Sequence, residues 1–338
     1  MSLLCGLDSG GTKTLIAFAN RAGRVIGPFR SASLDPSKNI AWPVELGDAL
    51  HAAAGEAARQ AKINTGADPF GFIDGAAFGL SFYSEIANFS RQQREAAAAL
   101  LGARAIVDND VRIAFDGAFA APDDSLSATG GVLVLAGTGS MVWASHNGPD
   151  DPHIRIGGWG DAFGDEGSGY WIGREALTLV SMTLDGRRDA RGLTDAVLAA
   201  LAIRPDELLA WCYELPDRRS RFAALAPVVT ELAERGNKDA RTLIDRVVDH
   251  LADHAMAAWR QMSPAAISDK AAPLRWSHAG SVFNCRLLVE LMTQRLGSAP
   301  IPPRLPPIGG ALLRAARHAH WPVDAAWLDQ LSRSLAQA

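Results

Sequence analysis

Cysteine and lysine are scarce in this chain. The three cysteines, Cys5, Cys212 and Cys285, lie far apart and form no C-x-x-C pair. Their odd number and wide spacing argue against a disulfide framework and against a cysteine-ligated zinc or iron–sulfur site. Only five of the 33 basic residues are lysines, the basic residues are scattered, and the net charge is -4. Neither nucleic acid nor an anionic membrane is therefore an expected partner.

Long apolar runs and the commoner nucleotide motifs are also missing. No run approaches the roughly 20 apolar residues that cross a bilayer, and residues 1–5 lack the leader of a lipoprotein signal, so we expect a cytoplasmic protein. The chain has no G-x-x-x-x-G-K-[ST] loop and no well-placed G-x-G-x-x-G. Its serines lack a G-x-S-x-G elbow, which argues against a serine hydrolase.

Two glycine–threonine turns are present instead, each between two apolar, strand-like runs. The first is Asp8-Ser9-Gly10-Gly11-Thr12-Lys13-Thr14, and the second is Gly137-Thr138-Gly139-Ser140. Tight turns of this composition offer backbone N–H groups to an anion without side chains in the way. Two such hairpins suggest a duplicated unit that holds a polyphosphate, and nucleotide binding is the first hypothesis.

The length of 338 residues predicts two domains. Apolar periodicity predicts strands at 3–7, 14–20, 25–29, 73–80 and 105–107, with helices at 43–62, 84–101 and 111–120. After a polar segment at 121–130, strands are predicted at 131–136, 141–145, 153–157 and 274–279. The region 168–262 is largely helical, and further helices are predicted at 283–296, from about 309, and at 324–337. We therefore expect one domain at 1–120, with 324–338 packing back on it, and a second at 121–323 with a helical insertion.

Carboxylates follow two of the predicted strands. Asp8 ends a buried strand, where an unpaired carboxylate is costly. A bound Mg²⁺ ion would explain a carboxylate at this position. The alternative is that Asp8 only caps the backbone of its own turn. Asp108, Asn109 and Asp110 lie where a strand meets a helix, the usual ligand position in open α/β sheets. One of these carboxylates can act as a general base, although a helix cap explains the same residues.

A glycine-rich stretch at 157–173 carries seven glycines in seventeen residues, together with aromatic and acidic residues. Trp159 offers a flat apolar face, and Asp165 or Glu166 can take paired sugar hydroxyls. These are the ingredients of a carbohydrate pocket, and an irregular surface loop is the alternative. His250 and His254 share a helix at i, i+4 without an apparent third ligand, which favours a solvated helix face over a metal site.

Together these motifs resemble the N-acetylglucosamine kinase branch of the BadF/BadG/BcrA/BcrD ATPase family, in the sugar kinase–actin–heat-shock-chaperone superfamily. The resemblance covers nearly the whole chain and implies an α/β fold of two ribonuclease H-like domains, with ATP and sugar in the cleft between them. It implies Asp110 as the catalytic residue and Asp8 as the Mg²⁺ residue. The implied phosphate-binding residues are Gly10, Gly11, Thr12, Lys13, Gly137, Thr138 and Gly139. The implied nucleotide-binding residues are Gly280, Ser281, Gly309 and Gly310, and the implied sugar-binding residues are Asn39, Asn109, Trp159 and Asp165.

The function implied by the resemblance is ATP-dependent phosphorylation of the 6-hydroxyl of an amino sugar, N-acetylglucosamine or glucosamine. The alternatives are an ATPase that activates another enzyme and a catalytically silent sugar- or nucleotide-binding protein. The sequence leaves open whether the chain forms a homodimer. Ser281 stands where the family usually has a second glycine, and Phe82 and Tyr83 stand where small residues are common. These departures bear on the choice of sugar and on purine packing.

Overall fold

The computed structural model describes residues 2–123, 125, 130–146, 152–262 and 274–338. The chain forms two compact units. Unit 1 comprises Met1–Gly130, Ser145–Pro152 and Pro302–Ala338, and unit 2 comprises Gly131–Ala144 and His153–Ile301. Half of the polar segment at 121–130, which marks the expected domain boundary, lies outside the described residues.

Unit 1 contains a five-stranded sheet in the order β3-β2-β1-β4-β5. Its strands are β1 (Leu3–Ser9), β2 (Thr14–Ala19), β3 (Val25–Ser31), β4 (Ile73–Leu80) and β5 (Ala105–Asn109). Its helices are α1 (Trp42–Ala61), α2 (Ala87–Leu101), α3 (Asp110–Ala118), α11 (Pro307–His318) and α12 (Ala325–Ala336). The first three strands are antiparallel, and β4 and β5 run parallel to β1. The register aligns Asp8 with Gly79 and Gly79 with Asp108, which places the acidic ends of β1 and β5 at one edge of the sheet.

Strand β1 is apolar on both faces because helices cover both sides of the sheet. Leu3, Cys5 and Leu7 point into the core that also contains residues of α1. Leu4 points into the opposite core, which contains residues of α11 and α12. At Gly6 an added Cβ would lie 3.0 Å from the backbone nitrogen of Leu312, so glycine lets α11 approach the sheet closely.

Helix α11 packs against α3 through glycines. A Cβ at Gly310 would lie 1.9 Å from the carbonyl oxygen of Ile113, and one at Gly117 would lie 2.9 Å from that of Pro306. This packing places Pro302–Ala338 in unit 1, whereas the sequence-based division assigns only 324–338 to the first domain.

Unit 2 contains a four-stranded sheet in the order β8-β7-β6-β9. Its strands are β6 (Gly131–Ala136), β7 (Ser140–Ser145), β8 (Ile154–Gly157) and β9 (Trp276–Ala279). Its helices are α4 (Gly169–Leu184), α5 (Arg191–Leu201), α6 (Leu208–Glu214), α7 (Arg218–Ala223), α8 (Ala226–Glu234), α9 (Lys238–Met262) and α10 (Arg286–Leu296). Strand β9 pairs parallel to β6, and β8 pairs antiparallel to β7. One apolar core joins the sheet to α4, α5, α8, α9 and α10.

Several helix boundaries differ from the sequence-based ones for local reasons. Helix α2 begins at Ala87 rather than 84, because Phe82 and Ser84 adopt positive φ angles of 65° and 63° in the preceding turn. Helix α10 begins at Arg286 after a 3₁₀ turn at Ser281–Asn284. None of the helices in the described part of the chain has the length and apolarity needed to cross a membrane.

Candidate functional site

In the first glycine turn, carbonyl groups accept hydrogen bonds from side chains, whereas N–H groups stay unused in the described part of the chain. The Ser33 hydroxyl donates to the carbonyl of Gly10 at 2.7 Å, and the Lys38 ammonium donates to that of Gly11 at 3.3 Å. Within the described residues, the N–H groups of Gly11 and Thr12 donate no hydrogen bond. An anion-binding turn requires this arrangement, in which the carbonyl groups are engaged in other hydrogen bonds and the N–H groups stay free for the anion.

Asp8 lies at the base of this turn with part of its side chain open to solvent. Because the surrounding protein shields the carboxylate from water, the pKa of Asp8 rises from 3.8 to about 6, an effect that the positive charge of Lys13 partly offsets. No hydrogen bond to the Asp8 side chain is present among the described residues. Its oxygens therefore stay available to a cation.

Asp110 lies on the same side of unit 1. A Cβ at Gly10 would lie 3.7 Å from its Oδ2. Its pKa rises to about 7, mainly through burial and further through the negative charges of Asp8 and Glu85. The Ser81 hydroxyl donates to Oδ2 at 3.3 Å and partly counteracts this rise. A carboxylate that titrates near neutrality is suited to accept a proton at physiological pH.

Asn109 positions Asp110 by capping helix α3. Its side-chain oxygen accepts a hydrogen bond from the N–H of Val111 at 2.9 Å. Its amide nitrogen donates to the carbonyl of Tyr83 and to the carboxylate of Glu85, each at 2.9 Å. All the polar atoms of this buried side chain thus have partners within unit 1, and its sugar contact stays a prediction.

Asp108 differs from Asp110 although it stands two residues away. The Arg314 guanidinium contacts Asp108 at 2.7 Å and also donates to Asp116 at 2.7 Å. Asp108 is therefore an ion-paired residue that joins β5 to α11. Sequence reasoning missed Arg314, because nothing in the local pattern of α11 marks it.

Asn39 precedes α1 in unit 1. Its side-chain nitrogen donates to Glu45 at 2.7 Å, and its oxygen accepts from the N–H of Ala41 at 2.8 Å. The neighbouring Ile40 is 97% exposed. The predicted sugar contact of Asn39 would have to compete with these local hydrogen bonds.

The second glycine turn, between β6 and β7, has the same arrangement as the first. The N–H groups of Gly169 and Tyr170 at the start of α4 donate to the carbonyls of Gly137 and Thr138 at 2.8 and 3.2 Å. In the described part of the chain, the N–H groups of Thr138 and Gly139 donate no hydrogen bond. The start of α4 thus fixes the carbonyl side of the turn and leaves two donors free.

Asp165 supports this turn from the glycine-rich stretch. It is 2% exposed and has a positive φ of 57°. Its Oδ1 accepts from the N–H of Ser140 at 3.2 Å, and its Oδ2 accepts from the guanidinium of Arg219 at 2.7 Å. The carboxylate that was expected to take sugar hydroxyls is therefore already held by an arginine, and its sugar contact stays a prediction. Sequence reasoning also missed Arg219, which is 54 residues away.

Trp159 is the exposed aromatic residue of the glycine-rich stretch. It is 65% exposed, and the Arg155 guanidinium lies 5.4 Å from the centre of its ring. The flanking glycines, Gly158 and Gly160, have φ angles of 71° and 83°, which side chains rarely adopt. The ring is held at the surface of unit 2 and can stack on an apolar sugar face.

The histidine pair of α9 does not form the solvated face that the sequence predicts. His254 is half-buried with Nε2 3.8 Å from the Glu166 carboxylate, and burial lowers its pKa. His250 lies edge-on to Trp171 at 5.1 Å. The solvated-face prediction is wrong because the pair packs beneath the start of α4 and the glycine-rich stretch. Among the described residues, no three His, Cys, Asp or Glu side chains are grouped to hold a metal.

The four predicted nucleotide residues fall in two places. Gly280 has a φ of 99°, and a Cβ there would lie 2.2 Å from the carbonyl oxygen of Ala136, beside the second glycine turn. The exposed Ser281 follows it. Gly309 and Gly310 are instead buried in α11 of unit 1. Their nucleotide contact stays a prediction, and the role that the structure gives them is helix packing.

Comparison with known proteins identifies the family. The model of the BadF/BadG/BcrA/BcrD ATPase family matches residues 5–315. The chain belongs to this family. The resemblance found in the motifs is thereby confirmed, together with an α/β fold of two units that each contain one sheet.

Two curated relatives are sugar kinases. The chain is 29% identical over 147 residues to the N-acetylmuramic acid/N-acetylglucosamine kinase of Clostridium acetobutylicum, covering 43% of this chain and 45% of that protein. It is 32% identical over 126 residues to the N-acetyl-D-glucosamine kinase of Dictyostelium discoideum, covering 36% and 39%. The chain thus spans less than half the length of either relative.

A solved structure matches over a longer span. It is a candidate N-acetylglucosamine kinase from Chromobacterium violaceum, with a TM-score of 0.70 and 27% identity. The match covers 93% of this chain and 99% of that one. This chain therefore shares almost its entire fold with that protein.

Proposed function

We propose that this chain transfers the γ-phosphoryl group of ATP to the 6-hydroxyl of an amino sugar, N-acetylglucosamine or glucosamine. The observation that carries the proposal is Asp110, a carboxylate with a pKa of about 7 beside a glycine turn with free N–H groups. The substrate class rests on the relatives that are named as N-acetylglucosamine kinases.

Asp110 accepts the proton of the attacking hydroxyl in this mechanism. Its carboxylate is held at the start of α3 by the Asn109 cap and by the Ser81 hydroxyl. Because phosphoryl transfer requires little covalent chemistry from the protein, catalysis comes mostly from this positioning and from electrostatic stabilisation. The pKa near 7 keeps an appreciable fraction of the carboxylate ionised at neutral pH.

The residues of unit 1 fit a Mg²⁺ ion. Asp8 offers carboxylate oxygens that no described residue uses, and no cage of three or more protein ligands surrounds it in the described part of the chain. Mg²⁺ prefers one or two carboxylates together with phosphate oxygens and water. When bound, the ion would neutralise the charge that develops on the phosphates. Asp8 would hold it, directly or through water.

Each turn, taken by itself, offers free N–H groups to a phosphate. Unit 1 supplies those of Gly11 and Thr12, and the exposed Lys13 adds a positive charge. Unit 2 supplies those of Thr138 and Gly139. Such preorganised donors stabilise developing negative charge without rearrangement.

The test is ADP release in a coupled assay with Mg-ATP and one of N-acetylglucosamine, glucosamine, N-acetylmannosamine or glucose, with a sugar-free control. We expect strong stimulation by one amino sugar, and mass spectrometry of the product should show a 6-phosphate. Sugar-independent hydrolysis would favour the activator ATPase instead. An absence of turnover with every sugar would favour the silent binding protein. Gel filtration in the same buffer tests whether the chain forms the homodimer left open by its sequence.

A further inference from the structure

Arg219 lies against the second glycine turn. It belongs to α7, whose first turn is capped by the Asp217 side chain accepting from the N–H of Ser220. A Cβ added at Gly139 would lie 2.6 Å from Nη2 of Arg219, so the guanidinium lies in the space that a side chain at 139 would fill. The glycine at 139 leaves room for this cation.

The Arg219 guanidinium keeps unused donors at this position. Nη2 donates to Asp165, and Nε lies 3.8 Å from a carboxylate oxygen of Asp161. Nε is buried and makes no hydrogen bond to any described residue. A guanidinium has five N–H donors in a planar fork, so a single strong hydrogen bond to Asp165 leaves several for another acceptor.

Asp165 fixes where these donors lie. One of its oxygens accepts from the Ser140 N–H and the other from Arg219, so a single buried carboxylate joins the turn to the guanidinium. The negative charge of Asp165 also balances the positive charge of Arg219 while no ligand is bound. The free N–H groups of Thr138 and Gly139 belong to the same turn. Backbone amides and an arginine fork together match the oxygens of a phosphate.

We propose that Arg219 is a phosphate-binding residue of the nucleotide site and that Asp165 is its positioning residue. This inference rests on the proposed function in one respect, namely that the anion at the second turn is a nucleotide phosphate. Arg219 would donate to phosphate oxygens next to the turn amides while its hydrogen bond to Asp165 holds the guanidinium in place.

The test compares Arg219→Gln, Arg219→Lys and the control Arg221→Gln, an exposed arginine of the same helix. Calorimetry without sugar measures the affinity for a non-hydrolysable ATP analogue and for adenosine. We expect Arg219→Gln to weaken binding of the analogue by about tenfold or more, because a charge-assisted hydrogen bond is lost, while adenosine binding stays within about twofold. Arg219→Lys should restore part of the affinity, and Arg221→Gln should match the parent protein.

Two results would overturn the proposal. One is an Arg219→Gln protein that binds the ATP analogue as tightly as the parent. The other is an equal loss of analogue and adenosine binding together with a lower melting temperature, which would make Arg219 a structural residue only. A parent protein that prefers the analogue to adenosine but phosphorylates no sugar would refute the proposed kinase activity and leave the role of Arg219 intact. A parent with no such preference would refute both.

Discussion

Neighbouring aspartates at the end of β5 acquire different chemistry from their surroundings. Asp108 is ion-paired with Arg314 at 2.7 Å. Burial, together with the negative charges of Asp8 and Glu85, raises the pKa of Asp110 to about 7. The same residue type thus becomes a structural ion pair at one position and a candidate base at the other, because the burial and the charges around it differ.

The proposed base can be tested by Asp110→Asn, which keeps the shape of the side chain. Turnover should fall by about 10²–10⁴-fold because the hydroxyl proton loses its acceptor. Sugar and nucleotide affinities, measured by calorimetry, should stay within about tenfold. The control is Asp48→Asn, an exposed residue of α1 that should retain full activity. Substantial turnover by Asp110→Asn would contradict the assignment.

The same substitution should change how stability depends on pH. Because the pKa of Asp110 is raised from 3.8 to about 7 on folding, the folded state binds the proton more tightly than the unfolded state. Stability therefore falls as the pH rises from about 4 to about 7, and the ionised carboxylate destabilises the protein at higher pH. Urea unfolding in EDTA should show Asp110→Asn to be more stable than the parent at pH 8 by about 2 kcal/mol, with a smaller difference near pH 4. A difference independent of pH would contradict this explanation.

Trp159 offers a test of sugar binding that leaves stability unchanged. Its ring is 65% exposed, so Trp159→Ala should not lower the melting temperature. If the ring stacks on the sugar, the KM for the sugar should rise about tenfold, whereas the KM for ATP should stay the same. Leu209→Ala, at a residue of unit 2 that is 71% exposed, is the control and should change neither value. An unchanged KM for the sugar would remove Trp159 from the site.

At the scale of elements, helices α3 and α11 depend on glycine where they touch. The carbonyl of Ile113 on α3 would meet a Cβ at Gly310 at 1.9 Å, and backbone cannot move aside as a flexible side chain can. This close approach brings Arg314 of α11 to Asp108, at the end of the strand that leads into α3. The helix pair thus supports the segment that carries Asp110.

Gly310→Ala tests this packing. The added methyl group should force the helices apart and lower the free energy of unfolding by about 1–3 kcal/mol or more. Gly55→Ala is a matched control in the interior of α1, where nothing lies within 4 Å, and it should stabilise the protein by up to about 1 kcal/mol. Urea unfolding measures both variants. Normal stability of Gly310→Ala with weakened nucleotide binding would instead support the sequence-based role of Gly310.

At the scale of the whole molecule, unit 1 is completed by residues from the far end of the sequence. Helix α12 inserts Trp327, Leu328 and Leu331 into the core that also contains Leu4 of the first strand. The N–H of Val25 donates to the Ser334 hydroxyl at 2.9 Å, 309 residues away. The C-terminal helix is therefore part of the first fold unit.

Leu328→Ala tests this arrangement. The residue is fully buried, so its truncation should lower the free energy of unfolding by about 2–5 kcal/mol. Hydrogen exchange should accelerate in β1–β5 but not in α9, because the two units have separate cores. Leu184→Ala, 42% exposed at the end of α4, should have little effect. Equal acceleration in both units would contradict separate cores.

The sequence by itself determined the features that depend on near neighbours. The apolar runs, the glycine turns and the Asp108–Asp110 cluster predicted the order of strands and helices and the position of a candidate base. The predicted order of strands and helices is confirmed, because periodicity and turn chemistry act within a few residues, whereas the candidate base stays a prediction.

Only the tertiary structure decided which of these groups are free to act. Asp165 is held by Arg219, Asp108 by Arg314, and His254 lies under the glycine-rich stretch facing Glu166. Arg219 stands 54 residues from Asp165, and Arg314 stands 198 residues from Asp116, the second carboxylate that it contacts. The physical reason is that burial and electrostatic environment arise from contacts between distant segments, which local sequence patterns do not encode.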